Sequence, residues 1–144
     1  MFKPSHIATQ VAVTTWQEAL RAAGQLLVDA GACTSTYVEA TVTAVAEMGP
    51  YIVLAPQVAL AHARPSQAVL SSDMAVIVLK TPVCFGAGDN DPVKLVFAFC
   101  ATDQGSHLKL LSQLATLLES PAHMKALATA QTPAQVLQCI RRYT

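Results

Sequence analysis

Four histidines, His6, His62, His107 and His123, are the residues of this chain best suited to nucleophilic or acid–base chemistry near neutral pH. Neutral imidazole is a nucleophile, and its nitrogen can take up a phosphoryl group and return it. His62 follows Pro56-Gln57-Val58-Ala59-Leu60-Ala61, where a strand gives way to Ala63-Arg64-Pro65. Strand ends entering loops are where sheet folds present reactive groups. On context alone His62 is either a turn or core histidine or such a nucleophile. His107 comes just after a second strand end, at the start of a helix, where free N–H groups and positive partial charge suit a phosphate. It reads either as a helix-start residue facing water or as a hydrogen-bond donor to a phosphoryl oxygen. Both rings would meet if the two strand ends were neighbours in one sheet. His6, ahead of an apolar run, and His123, in the first turn of a short helix, read as surface or cap residues.

Other chemistries find less support. Cys33, Cys84, Cys100 and Cys139 form no C-x-x-C pair and match no zinc spacing. Cys100, inside an apolar run, reads as a buried reduced thiol. A metal-bound hydrolase using His62, His107 and a cysteine lacks a third ligand at suitable spacing. No G-x-S-x-G marks a serine hydrolase and no Walker motif marks a nucleotide site. Asp89, Asn90 and Asp91 read as turn formers, without the twelve-residue ligand spacing of a calcium loop.

The elements that must position the histidines alternate between helices and strands. Ile7 to Val13 is expected to be a first strand. Thr15 can cap a helix from Trp16 to about Asp29, and Ser35 or Thr36 a second one running to Met48, stopped by Gly49-Pro50. Strand-forming runs follow at Tyr51 to Leu54, Val58 to Leu60, Met74 to Leu79 and Val93 to Ala101, with a loop from Phe85 to Pro92. Asp103 to Ser106 is cap chemistry for a helix reaching about Glu119, with Leu108, Leu111, Leu114, Ala115 and Leu118 on one face. Ser120-Pro121 and Thr132-Pro133 open two more helices, the last ending near Arg141-Arg142, where positive charge suits the helix dipole. The sum is an α/β domain, a mixed sheet with helices on both faces, and residues 1–144 are expected to form one domain.

Composition narrows the setting. Of 144 residues 53% are hydrophobic and 12% charged, with nine basic residues balancing nine acidic ones. No basic stripe offers the footprint of a nucleic-acid binder. Apolar stretches such as Leu95 to Ala101 are far too short to span a bilayer, and Met1-Phe2-Lys3-Pro4-Ser5 has no apolar signal core. The expectation is a cytoplasmic protein without membrane insertion. Its low charge points to partner surfaces, a homodimer among them.

The segment from Glu47 to Pro65, with Glu47, Leu54, Ala55, Val58, Ala59, Leu60, His62 and Ala63 at the signature positions, resembles the phosphorylation-site pattern of type-2 IIA domains of bacterial sugar phosphotransferase systems. These form the mannitol/fructose superfamily. The Gly49-Pro50-Tyr51 and His62-Ala63-Arg64-Pro65 flanks look closest to the ascorbate branch. The likeness continues through Phe85-Gly86, Asp89 to Val93, and Asp103 to His107. Two positions depart from it. Ala61 stands where the family usually has proline, and Gln57 where this branch commonly has glycine. Proline would fix the backbone ahead of His62; alanine removes that constraint, so the loop is either less ordered or held in some other way.

The resemblance implies a mannitol-type αβα fold and a phosphohistidine intermediate. His62 would accept the phosphoryl group from phospho-HPr, at Nε2 by family analogy, and pass it to a cysteine of a IIB partner, with a membrane IIC component served indirectly. His107 would hold the phosphoryl oxygens. The scheme needs no cofactor and no metal. Arg64, close to His62, reads either as a phosphate or partner contact or as a solvated loop residue. Glu47 reads as structural, closing a helix end. The other function considered is a regulatory binding module of the same fold, reporting phosphorylation state without feeding transport.

Overall fold

The computed structural model describes residues 2–143, with side chains as far as Arg141. In chain order the elements are β1 (Ile7–Val11), α1 (Trp16–Asp29), α2 (Ser35–Met48), β2 (Val53–Ala55), β3 (Val58–Ala61), β4 (Asp73–Val83), β5 (Val93–Cys100), α3 (Gln104–Leu117), α4 (Pro121–Ala128) and α5 (Pro133–Tyr143). Short 3-10 turns lie at Pro4–His6 and Gly88–Asn90.

Most helix starts follow local side-chain chemistry. Thr15 Oγ1 accepts the Glu18 N–H at 3.2 Å, Asp103 Oδ1 accepts Ser106 N–H at 2.7 Å, and Ser120 Oγ accepts His123 N–H at 3.2 Å. Thr132 does the same for Gln135 N–H at 3.2 Å. Each satisfies one of the orphan donors of a first turn, worth about 1 kcal/mol. The start of α2 differs from expectation. Its cap residue is Thr34, not Ser35 or Thr36, and the Thr34 side chain makes no capping bond. The entry is held instead by backbone: Thr34 N–H donates to Ala68 O at 2.9 Å beside a bridge between Cys33 and Val69. At its other end α2 stops at Gly49, whose φ of 83° suits a residue without Cβ. Arg142, expected with Arg141 to close α5, lies outside the residues whose side chains are described.

The strands form one five-stranded sheet in the order β1-β4-β5-β3-β2. β1 runs parallel to β4 and β3 parallel to β5, while β4–β5 and β2–β3 are antiparallel. β4 extends further than expected, to Val83, because its far end still pairs Val83 with Val93. The two-residue side-chain period of the central strands sends alternate residues to opposite faces. Ala59, Ala61, Ala75, Ile77, Val96 and Ala98 pack with α1 and α2. Val58, Leu60, Val76, Leu95, Phe97 and Phe99 pack with α3, α4 and α5. The sheet is thus sandwiched between helical layers, as the α/β reading expected.

Two histidines are placed differently from expectation. His6 is buried, and its Nε2 donates to Asp73 Oδ2 at 2.7 Å. His123 is buried too, each ring nitrogen 3.1 Å from a carbonyl, of Leu117 and of Cys139. Both are tied to residues distant in the chain, which their own neighbours do not reveal. The α3 stripe also shifts. Leu114 and Leu117 are buried, with Leu110, Leu111 and Leu118 packed beside them, while Leu108 is 56% exposed and Ala115 is exposed. His107 takes the first place in the stripe that continues through Leu111, Leu114 and Leu118, and Leu108 is rotated about 100° from it.

The loop before β5 is organised by one carboxylate. Asp91 accepts the N–H groups of Phe85, Gly86 and Ala87 at 2.9, 2.8 and 2.7 Å. The Asp91–Pro92 bond is cis. Between β2 and β3, Gln57 adopts φ 71°, a conformation glycine takes more easily. Its carbonyl accepts from Lys94 and Leu95 N–H, which starts the β3–β5 pairing. Among the described residues no helix is long and apolar enough to cross a membrane.

Candidate active site

β3 and β5 run parallel with Ala61 opposite Ala98, so both deliver their C-terminal ends to one edge of the molecule. His62 leaves β3 there. After β5, the turn at Asp103 starts α3, which brings His107 back over the same place. The two rings meet edge-on with centroids 5.6 Å apart. Phe99, the penultimate residue of β5, lies under both. Its ring stacks on His62 at 5.2 Å with planes 9° apart, and meets His107 edge-on at 5.2 Å. Tyr51 meets His62 edge-on, with centroids 6.0 Å apart.

Hydrogen bonding sets the tautomer of His62. His62 Nδ1 donates to the Leu60 carbonyl at 2.9 Å. A neutral imidazole has one N–H, so Nε2 keeps its lone pair, and no described residue bonds to it. Burial lowers the His62 pKa from its ordinary value; the Leu60 bond opposes this, and His107 nearby adds to the lowering. The ring is therefore neutral at physiological pH. His107 Nδ1 is buried with no partner. An orphaned N–H is rarer in interiors than an orphaned acceptor, which favours the proton on Nε2.

These residues line a cleft of about 920 Å³, bounded by Ala44, Met48, Tyr51, Ala63, Arg64, Pro65 and Gln104 as well as the two histidines. Arg64 is exposed and makes no ion pair among the described residues. Gln104, at the first position of α3, was not singled out from the sequence; its place right after a capping aspartate was the available signal. Tyr37 was missed as well. Its hydroxyl donates to Phe99 O at 2.8 Å and accepts from Ala63 N–H at 2.9 Å. Glu47 is exposed in the last turn of α2, outside the cleft lining. Among the described residues no three His, Cys, Asp or Glu side chains are grouped to hold a metal.

One cleft thus gathers an imidazole nitrogen with a free lone pair, a second imidazole beside it, an exposed guanidinium and the start of α3, groups whose chemistry suits an anion. Residues 1–143 match the family described as "Phosphoenolpyruvate-dependent sugar phosphotransferase system, EIIA 2". The chain belongs to this family and is a IIA component of a sugar phosphotransferase system. It is 34% identical over 137 residues to the ascorbate-specific EIIA component of Salmonella typhimurium, covering 94% of this chain and 89% of the relative. The solution structure of the mannitol-specific cryptic enzyme IIA CmtB from Escherichia coli superposes with TM-score 0.88 at 32% identity, covering 98% of this chain and 95% of that one. The fold also matches mannitol IIA in its complex with phosphorylated IIB from Escherichia coli, with TM-score 0.86 and 22% identity over 99% and 98% of the chains.

Proposed function

We propose that His62 Nε2 carries a phosphoryl group from phospho-HPr to a IIB protein of an ascorbate-type system. The observation that supports this most is the bond from His62 Nδ1 to Leu60 O, which leaves the Nε2 lone pair free. In the forward step the P–N bond of the donor phosphohistidine breaks as the Nε2–P bond forms. The Leu60 carbonyl then accepts from Nδ1–H of the resulting cationic ring, where the bond is stronger. In the second step a thiolate of IIB attacks phosphorus, the Nε2–P bond breaks, and His62 returns to neutral imidazole.

His107 donates from Nε2 to a phosphoryl oxygen, and Arg64 offers positive charge at the cleft wall to the phosphoryl group or to the incoming partner. Catalysis of this kind is positioning and electrostatics. The ascorbate assignment rests on the 34% identity to ascorbate-specific relatives. The chain acts as one domain in the cytoplasm, and IIC is served through IIB.

The test is to mix the protein with enzyme I, HPr and phosphoenolpyruvate and read its intact mass beside His62→Ala. The expected result is an acid-labile gain of one phosphoryl group, absent from the variant. No gain, with an authentic IIA protein labelled in the same tube, overturns the carrier reading.

A further inference from the structure

The parallel pairing of β3 with β5 ends at Ala61 and Ala98. His62 therefore stands one residue beyond the ladder, after an alanine that places no restriction of its own on the backbone. Its ring is nonetheless flat against Phe99. The group that bridges the strands just past the ladder is the Tyr37 hydroxyl. It donates to the Phe99 carbonyl at 2.8 Å and accepts the Ala63 N–H at 2.9 Å, with the Ala63 carbonyl 3.2 Å away. Tyr37 is 3% exposed and sits in the first turn of α2. That places it in the helical layer opposite the one that Phe99 packs against.

We propose that Tyr37 is a positioning residue for His62: its hydroxyl joins the residue after His62 to the backbone of Phe99, and so holds the imidazole on the Phe99 ring with Nδ1 against Leu60 O. This rests on the reading of His62 as the phosphoryl acceptor. The bond replaces a missing rung between two strands with a side chain from across the sheet. Without the hydroxyl, the Ala63 N–H and the buried Phe99 carbonyl both lose a partner. The segment that carries His62 is then free to separate from β5. A displacement of the nucleophile by a fraction of an ångström slows transfer while leaving donor docking intact. Burial raises the Tyr37 pKa well above its ordinary value, so the hydroxyl keeps its proton at every physiological pH.

The decisive variant is Tyr37→Phe, which keeps the buried ring and removes only the oxygen. Thr41→Val serves as control, since Thr41 is buried on the same helix and its hydroxyl donates only to Val38 O within that helix. Tyr37→Phe is expected to lower kcat for phosphoryl uptake about tenfold with KM for HPr little changed. Nitrogen-15 spectra of the unphosphorylated protein should show His62 passing from one tautomer, Nδ1–H, to a mixture. Thr41→Val should leave both at wild-type values. An unchanged His62 tautomer in Tyr37→Phe overturns the proposal whatever the rate, and so does an equal loss in Thr41→Val. Should Tyr37→Phe fail to fold, amide exchange on the unaltered protein decides. The Ala63 N–H, outside every ladder, must be protected, and rapid exchange there overturns the proposal. The spectra need no phosphoryl donor, so failure of the carrier reading would show as an unlabelled wild-type protein and remain separate from failure of the Tyr37 proposal.

Discussion

The His62 imidazole lies on the Phe99 ring with centroids 5.2 Å apart and planes 9° from parallel. Phe99 is fully buried, so this stack is anchored in the core and sets where the imidazole can point. Phe99→Leu keeps the apolar volume in part and removes the flat face. It is expected to cost roughly 1–2 kcal/mol of stability, less than the 3–5 of a full truncation to alanine. Phosphoryl uptake should slow about tenfold or more at temperatures where the variant is still folded. Denaturant titration and rapid-quench labelling measure the two separately; a variant that loses stability alone would show the stack to be core packing only.

The pH dependence follows from the lowered pKa of His62, caused first by burial and then by His107 nearby, against the Leu60 bond. Between the folded pKa and the unfolded value of about 6.5 the unfolded chain binds more protons. The contribution of His62 to stability is therefore complete above about pH 6.5 and is lost as pH falls toward the folded pKa. The stability difference between wild type and His62→Ala should shift against the wild type over that acid range. Uptake of phosphoryl from a fixed pool of phospho-HPr should persist below pH 6.5, where an ordinary histidine is mostly protonated. An uptake midpoint at or above 6.5 would contradict the burial argument.

His107 has a buried Nδ1 without a partner. An unsatisfied buried group costs about 1–3 kcal/mol, and shape-conserving replacement by an apolar ring removes that cost. His107→Phe is expected to hold or raise the melting temperature while slowing phosphoryl uptake by about tenfold or more, since the proposed donor to the phosphoryl oxygen is lost. A variant that is both less stable and fully active would mean the ring serves the fold alone.

Gly24 lets α1 and α2 approach each other. A Cβ there would sit 2.6 Å from Val38 Cγ1 and 2.7 Å from Cγ2. Gly24→Ala should cost about 1–3 kcal/mol by overpacking. Adding Val38→Ala should recover part of it, read as a coupling energy in denaturant titrations. Because α2 carries Tyr37, Gly24→Ala is also expected to broaden the His62 nitrogen-15 signals. A fully additive pair would show that the helices separate freely.

Much of the scaffold was legible because its signals are local. The Ser120-Pro121 and Thr132-Pro133 pairs, the Thr15 cap and the Asp103 cap act within one helical turn, and each starts a helix where expected. α2 was the exception, because Thr34 is held by Ala68 across a loop and not by its own side chain. His62 and His107 could be placed at a strand end and a helix start from neighbouring residues alone. His6 and His123 read as surface or cap residues; the Ser120 cap does hold the His123 N–H, but the burial of both rings was not legible, because it depends on Asp73 and on carbonyls of Leu117 and Cys139.

The amino-acid sequence by itself determined the order of elements, the apolar runs that bury both faces of the central strands β3, β4 and β5, and the two histidines whose context suits chemistry. Tertiary structure decided what those histidines are to each other. Only the parallel register of β3 with β5 brings His62 beside Phe99, and only the return of α3 sets His107 edge-on to both rings. Which ring nitrogen of His62 keeps its lone pair depends on the Leu60 carbonyl, two residues back near the end of β3. The bridge by Tyr37 depends on a helix packed across the sheet. Propensity and capping act over a few residues along the chain, whereas hydrogen bonds and ring contacts act over a few ångströms in space, and only packing connects those two scales.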